Sequence, residues 1–239
     1  RYMPNGGFLE TRDAVAQGLA VDTELPFKGN DVIMTCGAGA ALNVTFRAIL
    51  DPGDEVVLIA PFFAEYTFYV SHQGGVPVVA TSDDDFQPDM ESIEAAITDR
   101  TRAVLINSPN NPSGAIYSGA TLASLASVIQ AAEKRFGTEI FLISDEPYRK
   151  LIYSDDPYPF VFPHHTRSVV ATSHSKDLGL AGERIGFIAV NPAYGDRGQF
   201  IDAVTFANRT LGFVNAPAIM QRIVAKLQDV TVDISEYRS

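Results

Sequence analysis

Short apolar runs recur along the chain at residues 32–36, 55–60, 76–80, 103–107, 140–144, 168–172 and 185–190, most of them rich in Val, Ile, Leu or Ala. Between them lie stretches of mixed polarity at 8–20, 40–50, 65–73, 90–97, 119–136, 199–208 and 216–228. Apolar runs bounded by turn residues read as strands and the mixed stretches as helices, and their alternation is the pattern of parallel strands joined by crossover helices. Val56-Val57-Leu58-Ile59-Ala60 and Ala103-Val104-Leu105-Ile106-Asn107 show no polar alternation. Strands of that kind belong in a sheet covered on both faces. The pattern therefore predicts a three-layer α/β/α sandwich built on a mostly parallel seven-stranded sheet. Turn residues support the segmentation: Asp51-Pro52-Gly53-Asp54 precedes one run, and Ser108-Pro109-Asn110-Asn111-Pro112-Ser113-Gly114 follows another. No internal repeat or low-complexity linker occurs, and Asp83-Asp84-Asp85 reads as a solvated loop.

Composition narrows the partners. The 239 residues are 46% hydrophobic and 20% charged, an ordinary globular balance, with 18 basic and 29 acidic residues for a net charge of −11. That sign repels phosphate backbones and argues against nucleic acid as a partner. A single cysteine, Cys36, cannot form an internal disulfide, and the four histidines show no zinc-ligand spacing, so no metal site is expected. The thiol count favours a reducing compartment, and the expected location is cytoplasmic. No apolar run reaches the ~18–20 residues that span a bilayer. The opening Arg1-Tyr2-Met3-Pro4-Asn5-Gly6-Gly7 lacks both the basic and the apolar regions of a signal peptide. It also lacks an initiator methionine, and the expectation is a segment of a longer protein.

In an open α/β sheet, ligands bind beyond the carboxyl ends of the strands. After the first run comes Gly37-Ala38-Gly39-Ala40, leading into a helix. Small residues there serve either as a tight turn or as an anion site, where free N–H groups and the positive helix end meet a ligand. Leu42 stands where a dinucleotide fingerprint needs its third glycine. The asparagines of 107–114 suit either turn formation or hydrogen bonding to a ligand. In Asp145-Glu146-Pro147-Tyr148, a carboxylate at a buried strand end needs a cation or donors, whether for a structural salt bridge or for a ligand. The segment from Ser173-His174-Ser175-Lys176 to Arg184-Ile185-Gly186 offers an amine, two hydroxyls and a guanidinium. A surface lysine in a polar loop and an amine able to form a Schiff base both match it. The hydroxyls and the guanidinium can hold a phosphate.

Amine, carboxylate and phosphate pocket are together what pyridoxal 5'-phosphate requires. The Asn-Pro-Ser-Gly, Asp-x-x-Tyr and Ser-x-Ser-Lys-x(7)-Arg elements, in this order, make the chain resemble the large, cofactor-binding domain of fold type I pyridoxal-phosphate aminotransferases, class I and II, across nearly all of its length. The resemblance assigns Lys176 as the amine that forms the Schiff base and then moves the proton at the substrate Cα. It assigns Asp145 to the pyridine nitrogen, and Tyr148 and Asn111 to the phenolic oxygen. Ser173, Ser175 and Arg184, with the backbone of Ala38 and Gly39, match the phosphate cup. Gly39 replaces a hydroxyl residue common in relatives. Phe63 falls where an aromatic ring stacks on the pyridine. Tyr2, in Tyr-x-Pro-x-Gly-Gly, matches a tyrosine that reaches the partner subunit's cofactor phosphate, which implies a homodimer with shared active sites.

The resemblance implies a transaminase acting on an amino acid and a 2-oxo acid, with 1–239 as the large domain. No sequence corresponds to the family's small domain and its carboxylate-clamping arginine. A second, dicarboxylate-selecting arginine of some relatives aligns near Thr210, beside Arg209, and so strict aspartate specificity is not expected. The rivals are other reactions on the same cofactor (a carbon–sulfur β-lyase, a cyclopropane-forming synthase or a decarboxylase) and a cofactor-binding regulator domain.

Overall fold

The computed structural model describes residues 2–153, 157–228 and 230. Among these residues seven helices and seven strands alternate largely as the apolar pattern predicts: α1 (Leu9–Thr23), β1 (Val32–Thr35), α2 (Gly37–Ile49), β2 (Glu55–Ile59), α3 (Glu65–His72), β3 (Val76–Ala80), α4 (Met90–Ala96), β4 (Thr101–Asn107), α5 (Gly119–Phe136), β5 (Phe141–Asp145), β6 (Ser168–Ser173), β7 (Gly186–Val190), α6 (Arg197–Thr210) and α7 (Ala218–Leu227). Two single turns of 3-10 helix, Gly29–Asp31 and Ala181–Glu183, are additional. The strands form one sheet in the order β1-β7-β6-β5-β4-β2-β3. β2 pairs in parallel with β3 and with β4, and β4 with β5, whereas β7 runs antiparallel to β1. The sheet is a mostly parallel α/β sheet, as the unbroken apolar runs require.

Every residue of β1, β2, β5, β6 and β7 is buried, which means that both faces of these strands are covered. β3 departs from that expectation. It lies at one of the two edges of the sheet, and Val76 and Val79 are exposed, whereas β1 at the other edge is buried. Local chemistry explains the element ends. Asp89 caps α4 by accepting from the N–H groups of Glu91 (3.0 Å) and Ser92 (3.3 Å), and the Ser118 hydroxyl accepts from the Thr121 N–H (3.0 Å) at the start of α5. Asp83 Oδ1 accepts from the N–H groups of Asp85 (2.9 Å) and Gln87 (2.8 Å), which folds the acidic run into a turn.

The chain divides into two compact units. One holds Arg1–Ala48, Glu146–Tyr158 and Ala171–Ser239; the other holds Ile49–Asp145 and Pro159–Val170. In the first unit α1 packs on α7 and β1. Gly186 opens β7 in a close approach: a Cβ there would collide with the Thr172 carbonyl oxygen and lie 2.9 Å from Gly37 Cα. Only glycine lets the end of β6, the start of β7 and the start of α2 come this near; Ser173, Ser175 and Lys176 follow the first of these points, Arg184 precedes the second, and Ala38 and Gly39 follow the third. In the second unit α4 packs on α5 and β3, and Asn107 and Asp145 end the neighbouring strands β4 and β5 in register with each other. No described helix is long and apolar enough to cross a membrane.

Candidate active site

In the second unit the chemistry centres on Asp145. It is the last residue of β5, only 6% exposed, and its Oδ2 accepts a 2.6 Å hydrogen bond from the Tyr66 hydroxyl. Oδ1 is buried and has no hydrogen-bond partner among the described residues. Burial pushes the carboxyl up to about 7, against the opposing pull of the Tyr66 hydrogen bond. The donor at this strand end is a tyrosine on α3 and not the cation of a structural salt bridge. A buried carboxylate oxygen left without a donor is costly and is well matched to a cationic N–H.

The asparagine loop after β4 divides its work. Asn107 donates from Nδ2 to the Asp145 carbonyl (2.8 Å) and accepts from the Asn111 N–H (2.6 Å). Asn110 donates to the Pro61 carbonyl (3.1 Å) and accepts from the N–H and hydroxyl of Ser113. Two of the three side chains thus brace the loop, leaving the Asn111 carboxamide with no hydrogen bond among the described residues. Phe63 lies edge-on to Tyr66, with ring centroids 5.6 Å apart, so its neighbour in the chain's own packing is the tyrosine that holds Asp145.

In the first unit α2 begins at Gly37, three residues before the expected start at residue 40. Gly37, Ala38 and Gly39 therefore form its first turn, whose N–H groups have no carbonyl partner within the helix. Gly37 has φ +83°, and a Cβ there would come within 2.8 Å of Arg184 Nη2. Arg184 sits at φ +51° after the 3-10 turn and donates from Nη1 to the Ala181 carbonyl (2.9 Å). Its charge is felt at the start of α2, where it partly offsets the burial that raises the Cys36 thiol pKa. Ser173 ends β6 and is buried, whereas Lys176 is exposed in the following loop, with Nζ 5.8 Å from the centre of the Tyr148 ring. Tyr2 is 86% exposed.

Both units fit pyridoxal phosphate on their own observations. The orphaned Asp145 oxygen suits a protonated pyridine nitrogen. The helix start at Gly37, with a guanidinium where a Cβ would stand, suits a phosphate dianion. Sequence reasoning missed Tyr66 and the bracing role of Asn107. The available signals were a tyrosine three residues after Phe63, hence on the same side of a helical turn, and a polar residue closing an apolar strand. Replacing Tyr66 by phenylalanine removes the one donor to Asp145 seen here while keeping the ring. A hydrogen bond to a charged group contributes about 1.5–3 kcal/mol. Tyr66→Phe is therefore expected to weaken cofactor binding about tenfold in an absorbance titration, and an unchanged affinity would remove Tyr66 from the site.

Comparison with known proteins supplies the family. Residues 1–236 match the family model described as Aminotransferase class I and II. The probable aspartate/prephenate aminotransferase of Aquifex aeolicus is 35% identical over 202 residues, covering 81% of this chain and 49% of that protein. The aspartate/prephenate aminotransferase of Thermus thermophilus is 38% identical over 191 residues, covering 78% and 48%. The crystal structure of an amino transferase from Eubacterium rectale superposes with a TM-score of 0.96 at 40% identity, over 100% of this chain and 60% of that one. An aromatic aminotransferase from Pyrococcus horikoshii OT3 gives 0.83 at 27% identity, over 100% and 61%. The chain spans about half the length of the curated relatives it matches. With the same mostly parallel sheet and a sequence matched from its first residue to residue 236, the chain belongs to the class I and II aminotransferase family.

Proposed function

We propose that this chain carries the pyridoxal-phosphate-binding part of an aminotransferase that exchanges an amino group between an amino acid and a 2-oxo acid. The observation that carries the proposal is Asp145, a buried carboxyl pushed up to about 7, with one oxygen left without a hydrogen-bond partner among the described residues. When bound, the cofactor supplies an aldehyde that takes up amino groups and a protonated ring that accepts electrons from the substrate Cα. The residues of the chain do the rest. Asp145 holds its negative charge against the ring nitrogen and keeps that nitrogen protonated. Tyr148 and Asn111 donate to the phenolic oxygen, and Phe63 stacks on the ring. Ser173, Ser175, Arg184 and the N–H groups of Ala38 and Gly39 bind the phosphate. Lys176 would hold the cofactor covalently through Nζ, and once the substrate's amino group has displaced it, the freed amine would take the proton from the substrate Cα and return it.

The same reading makes residues 1–239 the cofactor-binding large domain and gives Tyr2 its role at a partner's cofactor phosphate in a homodimer; the exposure of Tyr2 suits it to that reach. A single cysteine suits work in the reducing cytoplasm. The names of the relatives point to acidic and aromatic amino acids as the first donors to try. The test is a half-reaction: holoprotein mixed with aspartate or phenylalanine, without a 2-oxo acid. A transaminase releases one equivalent of 2-oxo acid per site and accumulates pyridoxamine phosphate. Sustained turnover with release of ammonia, a thiol or carbon dioxide would contradict transamination.

A further inference from the structure

Lys176 leaves the chain from a turn, residues 174–180, that closes through its first residue. The His174 N–H donates to the Ile185 carbonyl (3.0 Å), and the His174 carbonyl accepts from the Leu180 N–H (3.0 Å). The imidazole Nδ1 lies 3.0 Å from Asp177 Oδ2, while Asp177 Oδ1 accepts from the Leu178 N–H (2.9 Å). An ionised carboxylate only accepts, so Nδ1 is the donor. The His174 side chain is 5% exposed and that of Asp177 10%, which keeps water from competing for the bond. The ring packs 5.8 Å from Phe187, a contact that phenylalanine would make equally well. Its Nε2 is buried without a hydrogen-bond partner among the described residues, leaving Nδ1 as the ring's polar tether.

We propose that His174 and Asp177 are positioning residues for Lys176. Their bond spans Ser175 and Lys176 and so restricts the backbone from which the lysine stem and the serine hydroxyl project. Without it, the turn is closed, among the described residues, by the backbone contacts of His174. Lys176 and Ser175 then sample more orientations, and that freedom must be given up when the cofactor binds. This inference rests on the reading of Lys176 as the cofactor amine.

The test uses pyridoxal phosphate titrated into the purified protein, with the dissociation constant and the visible circular dichroism of the bound cofactor as readouts. His174→Phe keeps the ring volume and the Phe187 contact but removes the donor. His174→Asn restores an N–H near the position of Nδ1, and Asp177→Ala removes the acceptor. His174→Phe and Asp177→Ala should each weaken binding at least tenfold, about 1.4 kcal/mol, and alter the dichroism. His174→Asn should return to within about threefold of wild type, and the double variant should be no worse than either single one. Failure of His174→Asn to rescue, or additive losses in the double variant, would overturn the inference and leave a packing role. Wild-type binding with unaltered His174→Phe would overturn this inference alone, whereas a wild type that does not hold the cofactor at Lys176 would overturn the functional reading beneath it.

Discussion

Replacing Lys176 by alanine should abolish the visible absorbance of lysine-bound cofactor and reduce amino-group transfer by at least roughly 10²–10⁴-fold, the range that a positioned proton-transfer group supplies by itself. Loss of the covalent anchor adds to that. The side chain is exposed and its Nζ makes no hydrogen bond among the described residues, so the unfolding free energy of the cofactor-free protein should change by no more than about 0.5 kcal/mol, the small range of surface substitutions. Lys176→Arg should be equally inactive, because a guanidinium keeps its proton at any working pH and cannot accept one from carbon. A variant that retains substantial turnover would locate the amine elsewhere.

Asp145→Asn should separate stability from function. In the folded, cofactor-free chain the Asp145 pKa is about 7, against an ordinary 3.8. The native state therefore holds a proton that the unfolded state has released, and stability falls as pH rises from about 4 to about 7. Below that window the carboxyl is protonated in both states and costs nothing. Above it the full cost of a buried anion applies, on the order of a few kcal/mol. Asparagine cannot ionise and still accepts from Tyr66. The cofactor-free variant should therefore be more stable than wild type above pH 7, and the two denaturation curves should converge near pH 4. Its activity should fall by about 10²–10³-fold, the usual loss when one preorganised electrostatic partner is removed. Equal stability of wild type and variant at pH 8 would show that Asp145 is not a strained buried anion.

These two residues also show what the sequence made legible. The strands are readable because β2 and β4 carry unbroken apolar runs, residues 56–59 and 103–106, which leave no polar face for water. Asp145 and Lys176 are readable because each follows an apolar run, Asp145 at the end of β5 and Lys176 in the loop after β6, beyond the carboxyl ends of the strands where an α/β sheet presents its chemistry. The exposure of Val76 and Val79 is hard to read because Val76-Pro77-Val78-Val79-Ala80 is as apolar as a central strand, and Pro77, which cannot donate to a ladder, is the one local sign of the edge that the strand order shows. Tyr66 escaped for a similar reason. Its hydroxyl meets a carboxylate 79 residues away, and no local pattern distinguishes that tyrosine from a core aromatic. α2 starts three residues before the expected position because Gly37 and Gly39 have low helix propensity, which a packed helix start overrides.

The most direct measurement is the identification of the residue that carries the cofactor. Holoprotein reduced with borohydride and digested should yield one phosphopyridoxyl peptide containing Ser173-His174-Ser175-Lys176, modified at Lys176 in a ratio of one per chain. A label on any other lysine, or no label in protein that binds and turns over, would contradict the account.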